Sequence, residues 1–362
     1  MAGHRASGPG PAGRTAHGEP VRLGGGSPLL DREAREAEED ERLAPGATHA
    51  GGAGVRRRQE EPDRWRTCFE RDRDRILHST SFRRLAGKTQ VFVFPADHQR
   101  TRLTHALEVA QVAGAIARSL RLNVALTEAI ALGHDCGHGP GGHASEDALT
   151  PFLEEGFDHA VWGAEVTTAG LNLCAETIDG IANHSWSRPA PATPEGEVVS
   201  LADRIAYTAH DLEDAARAGL ADPGELPDVV KRRCGTTRSS QLDSFISDVV
   251  RVSSLSGVVS MSEEMGEALA SLRLFDYERI YLREASLERS ARVIEMLQAL
   301  VEHYAVHPEL VPEVVGRPEP ELSGDEVRNA VAYVAGMTDR YACAQAVSLL
   351  DWPADRLPQG AL

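Results

Sequence analysis

The amino-acid sequence predicts an all-α protein. Apolar residues recur at steps of three or four along most of the chain, which is the spacing of one face of an α-helix. Neither an alternation of strands and helices nor an internal repeat is visible, so a parallel-sheet protein is not expected. Hydrophobic residues make up 41% and charged residues 26% of the 362 residues, which suffices for a globular core.

The first part of the chain differs in composition from the rest. Residues 1–54 are rich in Gly, Ala, Pro, Arg and Glu and contain almost no aromatic or β-branched residues. Such a segment buries too little apolar surface to fold, so we expect a disordered tail. Residues 55–362 are then the folded domain.

Helices are expected in the following order through this domain. Apolar residues at near-helical spacing begin near Trp65, and residues 90–94 form a short extended run that Pro95 ends. Helices are predicted from residue 101 to about 120, over 123–133, from 143 to Pro151, and over 158–173. Three prolines mark residues 188–196 as a loop, and further helices cover 197–220 and about 240–350.

The helix predicted over residues 197–220 has one polar face. Its opposite face is mostly apolar and packs against the protein, so the polar face is free for chemistry. The polar positions are Asp203, Tyr207, His210, Asp211 and Asp214.

Cysteine content and hydropathy indicate a soluble cytoplasmic protein without membrane contact. The five cysteines include no C-x-x-C pair, and their odd number suits a reducing compartment better than a disulfide framework. The N-terminus lacks the apolar segment of a signal peptide, and no apolar run approaches the length that crosses a bilayer.

Charge is unevenly distributed along the chain. The net charge is −17, yet residues 55–104 contain thirteen Lys/Arg and seven Asp/Glu, a local +6 that leaves −23 elsewhere. A basic stretch on an acidic protein favours a small polyanion in a cleft over a long duplex, although it could also hold a single nucleic-acid strand. The other interpretation is a solvated face of Arg–Glu pairs.

The most informative stretch is residues 134–146, which read H-D-C-G-H-G-P-G-G-H-A-S-E. His134 and Asp135 offer an imidazole nitrogen and a carboxylate oxygen to one ion, a mixed ligand set that suits Mg, Mn, Fe or Zn. The alternative is a polar surface loop with incidental histidines, and the presence of three histidines within ten residues argues against it.

Two further residues are candidates to complete a metal site, although each of them taken alone is more often a structural residue than a ligand. His105 lies one predicted helix upstream, and Asp203 begins the polar face of the later helix. Two imidazoles and two carboxylates would bind a divalent ion and leave positions open for water and a substrate oxygen.

The order H…HD…D, with Arg102 three residues before His105, resembles the HD-domain phosphohydrolases. The similarity extends to the bacterial deoxyguanosinetriphosphate triphosphohydrolase family, in its dGTPase-like branch, and covers residues 64–350. The motifs that carry it are S-F-R-R-L at 81–85, K-T-Q-V-F at 88–92, R-T-R-L-T-H-A-L-E-V at 100–109, residues 134–146, A-D-R-I-A-Y at 202–207 and G-M-T-D-R-Y at 336–341.

The resemblance implies an HD-domain multi-helix fold with additional C-terminal helices. The metal core would span about residues 100–215 and the helical C-terminal part about 240–350. The implied ligands of one divalent ion, Mn, Mg, Fe, Co or Zn, are His105, His134, Asp135 and Asp203.

The resemblance also implies roles around the α-phosphate. The implied catalytic residues are His138, His143, Glu146 and His159. His143 and Glu146 are three residues apart on a helix, so the carboxylate can fix the imidazole tautomer for orienting water or moving a proton. A protonated His138 would sit well against phosphate oxygens.

The implied substrate-binding residues are Arg102, Arg204, Tyr207 and Asp211. The two arginines suit phosphate oxygens, and Tyr207 and Asp211 lie in the region that contacts phosphate and the sugar 3′-hydroxyl in the resembling family. For Tyr207 the alternative is an ordinary half-buried aromatic residue.

The activity that follows from the resemblance is metal-dependent hydrolysis of a dNTP to a deoxynucleoside and tripolyphosphate. The alternatives are another HD phosphohydrolase, a nucleotidase or phosphodiesterase, and a nucleotide-sensing protein that binds nucleic acid. Family members commonly form homo-oligomers, and some respond to a nucleotide effector, so both are expected partners.

One residue departs from the family pattern. Gly141 stands where the family usually has Phe in H-x-P-F-G-H. Glycine adds backbone freedom and removes aromatic packing, so we expect a looser or wider site.

Overall fold

The computed structural model of the chain describes residues 3–5, 13–18, 29–92, 99–312 and 325–358. Regular structure in this part is almost entirely helical, so the all-α prediction is confirmed. Two strands of two residues, β1 (His4–Arg5) and β2 (Arg14–Thr15), pair antiparallel. The α-helices are α1 Arg32–Arg42, α2 Cys68–His78, α3 Thr80–Arg84, α4 Arg102–Leu120, α5 Val124–Gly133, α6 Ala144–Leu149, α7 His159–Trp162, α8 Ala175–Ala182, α9 Pro194–Arg217, α10 Asp228–Cys234, α11 Arg238–Ser256, α12 Glu263–Asp276, α13 Glu284–Val306, α14 Glu326–Ala335 and α15 Asp339–Leu350.

Short helical segments of other types join these helices. Within the described ranges, no helix is both long and apolar enough to cross a membrane. The π-helical segments are Gly163–Thr167 and Tyr277–Tyr281. The 3-10 segments are Leu85–Gly87, Thr150–Phe152, Ala169–Leu171, Pro223–Glu225, Pro308–Leu310 and Ala354–Arg356.

Three helices form the centre of the molecule: α4 packs against α5 and α9, and α2 covers α5 on the outside. Asn123 begins α5 by accepting a hydrogen bond from the Leu126 amide at 3.1 Å, and Thr193 begins α9 by accepting one from the Gly196 amide at 3.1 Å. The buried apolar side chains of α4, α5 and α9 belong mainly to one core cluster that α11 and α12 extend. The polar face of α9 is therefore turned toward the ends of α4 and α5.

The C-terminal helices build a second core. Helix α13 packs against α6, α14 and α15, and its buried side chains include Val293, Leu297, Leu300 and Tyr304. Because α6 follows the 134–143 turn directly, this turn lies between the two cores.

Residues 29–54 correct the expectation of a disordered tail. Helix α1 begins at the cap residue Asp31 and is anchored by an ion pair between Arg35 and Glu70 on α2. Ala47 and Ala50 are buried at 8% and 4% exposure. Of residues 1–28 the structure describes 3–5 and 13–18, and the rest of the predicted tail lies outside the described residues.

Polar contacts explain why a segment with so few apolar residues is ordered. The amide and hydroxyl of Thr48 donate to the two carboxylate oxygens of Glu195 at 3.0 and 2.7 Å. The same carboxylate accepts the Asn123 amide at 2.9 Å, and the Asn123 side chain donates to the Thr48 carbonyl at 3.0 Å. Hydrogen bonds to a buried carboxylate therefore stabilise this segment, although it has little apolar surface to bury.

The single helix predicted over residues 158–173 is also a correction, because the structure breaks it into α7, a π-helical segment and a 3-10 turn. The Thr168 hydroxyl donates to the carbonyls of Gly163 and Ala164 at 2.9 and 3.2 Å, which competes with helical backbone pairing.

The extended run predicted over residues 90–94 is tested only in part. Thr89 forms an isolated antiparallel bridge with Thr101, and residues 91 and 92 follow as a bend. Residues 93 and 94 lie outside the described residues.

Two neighbouring residues, Lys88 and Thr89, tie the 134–143 turn to the C-terminal helices. The Lys88 ammonium donates to the carbonyls of His138 and Ala335. The amide and hydroxyl of Thr89 donate to one oxygen of Asp339 at 3.0 and 2.5 Å, and the Gly141 amide donates to the other at 2.9 Å. Lys88 and Asp339 are 3% and 5% exposed, so these bonds are shielded from water.

Lys88 gives a testable pH dependence. Burial lowers its pKa to about 8, whereas an unfolded lysine titrates near about 10.4. Between these values the unfolded chain binds more protons than the folded one, so this lysine makes stability rise with pH. We expect the titration of Lys88 to raise the free energy of unfolding by roughly 3 kcal/mol over this interval. Urea unfolding from pH 7.5 to 10 should show a flatter dependence for Lys88→Met than for the wild type, and equal slopes would contradict the assignment.

Candidate metal centre and active site

A cavity of about 430 Å³ lies between the polar face of α9, the start of α4, the 134–143 turn and the start of α13. Ten of the twelve predicted site residues line it, namely Arg102, His105, Asp135, His138, His143, His159, Asp203, Arg204, Tyr207 and Asp211. The other two, His134 and Glu146, stand behind this lining in contact with it. The structure therefore brings the whole predicted set together.

The four predicted metal ligands come from three places in the fold. His105 lies on the first turn of α4, His134 and Asp135 at the end of α5, and Asp203 in the middle of α9. One Asp203 oxygen is 3.0 Å from Nε2 of His105 and 3.7 Å from Nε2 of His134. The Asp135 oxygens lie 3.8 and 3.5 Å from the same two nitrogens.

Hydrogen bonding sets the tautomer of His134. Its Nδ1 donates to the Ala131 carbonyl at 2.6 Å, so the lone pair is on Nε2. This Nε2 is buried, has no hydrogen-bond partner among the described residues, and faces the two carboxylates. An unpaired imidazole nitrogen beside two carboxylates is a donor set that fits a divalent metal ion.

The Asp135 carboxylate is held by more than its neighbouring histidines. Arg102 donates to it at 2.6 Å, and Nε2 of His138 lies 3.1 Å from its other oxygen. Burial alone would raise the pKa of Asp135, but the charge of Arg102 and the histidines outweigh burial and lower it well below its usual value. Arg102, which the sequence assigned to phosphate, thus has a carboxylate partner and orients a metal-ligand candidate.

Glu146 organises a second group of side chains. One of its oxygens lies 2.8 Å from Nδ1 of His143, 3.0 Å from Nδ1 of His159 and 4.0 Å from Nδ1 of His138. Burial would raise the pKa of Glu146, but the hydrogen bonds with His143 and His159 lower it overall. An ionised Glu146 places the proton of His143 on Nδ1 and its lone pair on Nε2. The His143 side chain is 78% exposed, so this nitrogen is accessible.

His138 and His159 stack with ring centroids 3.7 Å apart. Burial and the charge of Arg102 lower the pKa of His138 well below its usual value. This favours a neutral imidazole, in contrast to the protonated form considered from the sequence.

His184, which the sequence reasoning did not identify, completes this group. Its Nε2 lies 3.3 Å from Nε2 of His159, and its ring centroid lies 4.9 Å from that of His134. Its Nδ1 donates to the Ile181 carbonyl at 2.8 Å, so Nε2 carries the lone pair, and burial lowers its pKa to about 3. With His134 and Asp135 it forms a further set of potential metal donors. The sequence around His184 gives no signal of this role, because it is an isolated histidine that follows α8.

The polar face of α9 divides into two parts. Tyr207 accepts a hydrogen bond from Arg273 at 3.0 Å, and Asp211 accepts one from Tyr281, so these residues face the cavity. Burial raises the pKa of Asp211 to about 7. The other two polar positions instead serve structure, since His210 lies 3.2 Å from Glu108 and Asp214 pairs with Arg100 at 2.6 Å.

The glycine at position 141 occupies a specific place. Its φ of +76° favours glycine, and a Cβ there would lie 2.5 Å from Val293 of α13. Ser145 donates to the Gly142 carbonyl at 2.7 Å and accepts the Gly139 amide at 3.0 Å. Hydrogen bonds and the contact with Val293 therefore fix the conformation of this turn, and no aromatic side chain is needed at position 141.

Comparison with known proteins agrees with this architecture. The HD domain family matches residues 102–208, and the phosphohydrolase-associated domain family matches residues 259–347. The first match contains the predicted metal ligands, and the second contains all of α13 and α14 and most of α15.

Curated relatives cover most of the chain. A "deoxyguanosinetriphosphate triphosphohydrolase-like protein" of Caldanaerobacter subterraneus subsp. tengcongensis is 43% identical over 318 residues, or 86% of this chain and 93% of the relative. A protein of the same name from Clostridium perfringens strain 13 is 43% identical over 302 residues, or 79% and 87% of the two chains. A solved structure of a hypothetical protein from Aquifex aeolicus has a TM-score of 0.49 at 20% identity and covers 78% of this chain and 69% of that one. The sequence relatives carry the assignment: the chain belongs to the deoxyguanosinetriphosphate triphosphohydrolase-like family of HD-domain phosphohydrolases.

Proposed function

We propose that the protein is a metal-dependent deoxynucleoside triphosphate triphosphohydrolase, which converts a dNTP and water to a deoxynucleoside and tripolyphosphate. The observation that carries the proposal is one cavity in which the His105, His134, Asp135 and Asp203 donor set adjoins the imidazole that Glu146 orients. The names of the relatives support a nucleotide as the substrate.

The divalent ion would be held by His105, His134, Asp135 and Asp203. Nitrogen and oxygen donors of this kind accept Mn, Mg, Fe, Co or Zn, so the donor set alone does not select one metal. When bound, the ion supplies Lewis-acid polarisation of a phosphoryl oxygen. Arg102 keeps the Asp135 carboxylate ionised and oriented through its 2.6 Å contact.

His143 is the proposed proton-transfer residue. Its accessible Nε2 can exchange a proton at the α-phosphate, where water attacks phosphorus and the bond to the nucleoside 5′ oxygen breaks. Glu146 accepts a hydrogen bond from Nδ1–H of His143 at 2.8 Å and stabilises the imidazolium that forms. His138 and His159, which lie beside the same Glu146 carboxylate, are also proposed to contact the α-phosphate.

Tyr207 and Asp211 are proposed to bind the sugar and its 3′-hydroxyl. Both lie on the cavity side of α9, and Asp211 is oriented by the hydroxyl of Tyr281. Arg204 is proposed to bind the phosphate chain, with Arg273 beside it. Among the described residues no carboxylate pairs with either arginine, and an uncompensated positive wall suits a polyanion.

The two alternative functions differ from the proposed one: another phosphohydrolase would release a different leaving group, and a sensor would hydrolyse no substrate. A nucleotidase or phosphodiesterase could use the same metal core, because a fold does not fix the substrate. A nucleic-acid-binding sensor would need the arginines of residues 55–104 to be free. Much of this stretch is neutralised instead, by Arg56–Asp72, Arg66–Asp63, Arg66–Asp74, Arg75–Glu60 and Arg100–Asp214 pairs.

The family resemblance also leads us to propose a homo-oligomer and a nucleotide effector. All five cysteines are free thiols in the structure, which supports the proposal of a cytoplasmic location.

Product analysis tests the proposed reaction. The protein is incubated with each of the four dNTPs and Mn or Mg, and the products are separated by anion exchange. We expect deoxynucleoside and intact tripolyphosphate in equal amounts. Orthophosphate or pyrophosphate as the primary product would contradict the proposal, and binding of a single strand without turnover would favour the sensor.

The metal ligands are tested through Asp135. We expect Asp135→Ala to lose metal retention and to lower kcat/KM by about three orders of magnitude or more, because a charged ligand is removed. Metal content by mass spectrometry and initial rates measure the two effects. Asp147→Ala is the matched control, because Asp147 is exposed on the adjacent helix α6. Full activity of Asp135→Ala would show that the site is wrongly assigned.

The proton-transfer role is tested through Glu146. We expect Glu146→Ala to retain the metal and to lower kcat by about 10²–10⁴, since the His143 tautomer and imidazolium lose their support. KM should change little, because the proposed phosphate and sugar contacts remain. Loss of metal, or an unchanged kcat, would exclude this role.

A further inference from the structure

Trp186 stands at the edge of the cavity without a role in the site described so far. It lies in the turn after α8 and is 52% exposed, which is unusual for a tryptophan. Its indole nitrogen nevertheless donates to the Ser200 carbonyl on α9 at 3.2 Å. Both residues line the cavity, so this exposed ring has a defined position at the mouth of the site.

The ring lies directly against Arg204. The central carbon of the Arg204 guanidinium is 3.7 Å from the Trp186 ring centroid. Ser200 is one helical turn before Arg204 on α9, so the hydrogen bond from Trp186 anchors the ring to the helix that carries the arginine. A cation over an indole face is attracted by the negative potential of the ring.

Arg204 lacks the polar partners that two other cavity arginines, Arg102 and Arg273, have within the described part of the chain. Arg102 is held by Asp135, and Arg273 donates to the hydroxyls of Tyr207 and Tyr277. Among the described residues the Arg204 guanidinium has no hydrogen-bond or ion-pair partner, and its Nε is buried without one. The indole ring is the contact that restricts its guanidinium.

We propose that Trp186 is a positioning residue, which holds the Arg204 guanidinium in the orientation that binds the phosphate chain of the substrate. This inference rests on the proposed function for the identity of the substrate. An aromatic face leaves the N–H groups of the guanidinium free, whereas a carboxylate partner would occupy them. The N–H groups of Arg204 therefore stay available to phosphate oxygens, and the guanidinium is preorganised before the substrate binds.

The test measures phosphate binding and turnover separately. Tripolyphosphate is the binding probe, measured by calorimetry on the metal-loaded protein, and kcat and KM are measured with a dNTP. We expect Trp186→Ala to raise both the Kd of tripolyphosphate and the KM about fivefold to tenfold, while kcat changes less than about threefold. Trp186→Phe keeps an aromatic face but loses the hydrogen bond to Ser200, so its losses should be smaller than those of Trp186→Ala.

A double-mutant cycle separates positioning from a general structural role. In an Arg204→Ala background, Trp186→Ala should add no further loss of tripolyphosphate affinity, because the side chain it holds is absent. Trp65→Ala is the matched control: Trp65 is 43% exposed and lies against Arg64 at 4.7 Å, and it does not line the cavity. It should leave binding and turnover unchanged.

Three results would overturn the inference: unchanged tripolyphosphate binding by Trp186→Ala, additive losses in the cycle, or absence of tripolyphosphate binding by the wild type. If Trp186→Ala raises the KM for the dNTP but leaves tripolyphosphate binding unchanged, the first of these results is obtained, and the ring is assigned to the nucleobase instead. If the wild type binds tripolyphosphate and the cycle shows coupling, but no dNTP is hydrolysed, the proposed reaction fails while the role of Trp186 stands.

Discussion

The buried carboxylate of Asp135 is the constraint on which the rest of the site depends. It is 3% exposed, and it meets Arg102 at 2.6 Å, His138 at 3.1 Å and His134 at 3.5 Å. A buried charge that loses one partner costs about 3–5 kcal/mol, so these side chains have to be brought to it together. Because they come from α4, from the end of α5 and from the turn that follows, the packing of α4 on α5 and the assembly of the proposed metal site are one requirement.

The proposed metal centre and the proposed catalytic group share this construction. His134 is oriented by the Ala131 carbonyl, His184 by the Ile181 carbonyl, and His143 by Glu146. In each case the bond at one ring nitrogen determines where the lone pair of the other points. These three histidines therefore have fixed tautomers, and backbone carbonyls near the ends of α5 and α8 orient two of them toward the proposed metal and phosphate sites.

The C-terminal helices are part of the site as well as a second core. Asp339 at the start of α15 accepts hydrogen bonds from Thr89 and Gly141, and Lys88 joins the His138 carbonyl to the end of α14. The 134–143 turn is consequently held from both cores, and Val293 of α13 fills the space that glycine at position 141 leaves. The region matched by the phosphohydrolase-associated family thus supports the turn that carries the proposed catalytic histidines.

Sequence alone determined the features that depend on neighbours along the chain. The helical class follows from apolar spacing, the His143–Glu146 pair from a separation of three residues, and the cavity face of α9 from the spacing of Asp203, Tyr207 and Asp211. Only the tertiary structure decided which charges meet. It paired Arg102 with Asp135, brought His184 and Trp186 to the cavity, and ordered residues 29–54 on Glu195. These contacts join residues distant in sequence, and they form because the packing of helices fixes distances that periodicity leaves free.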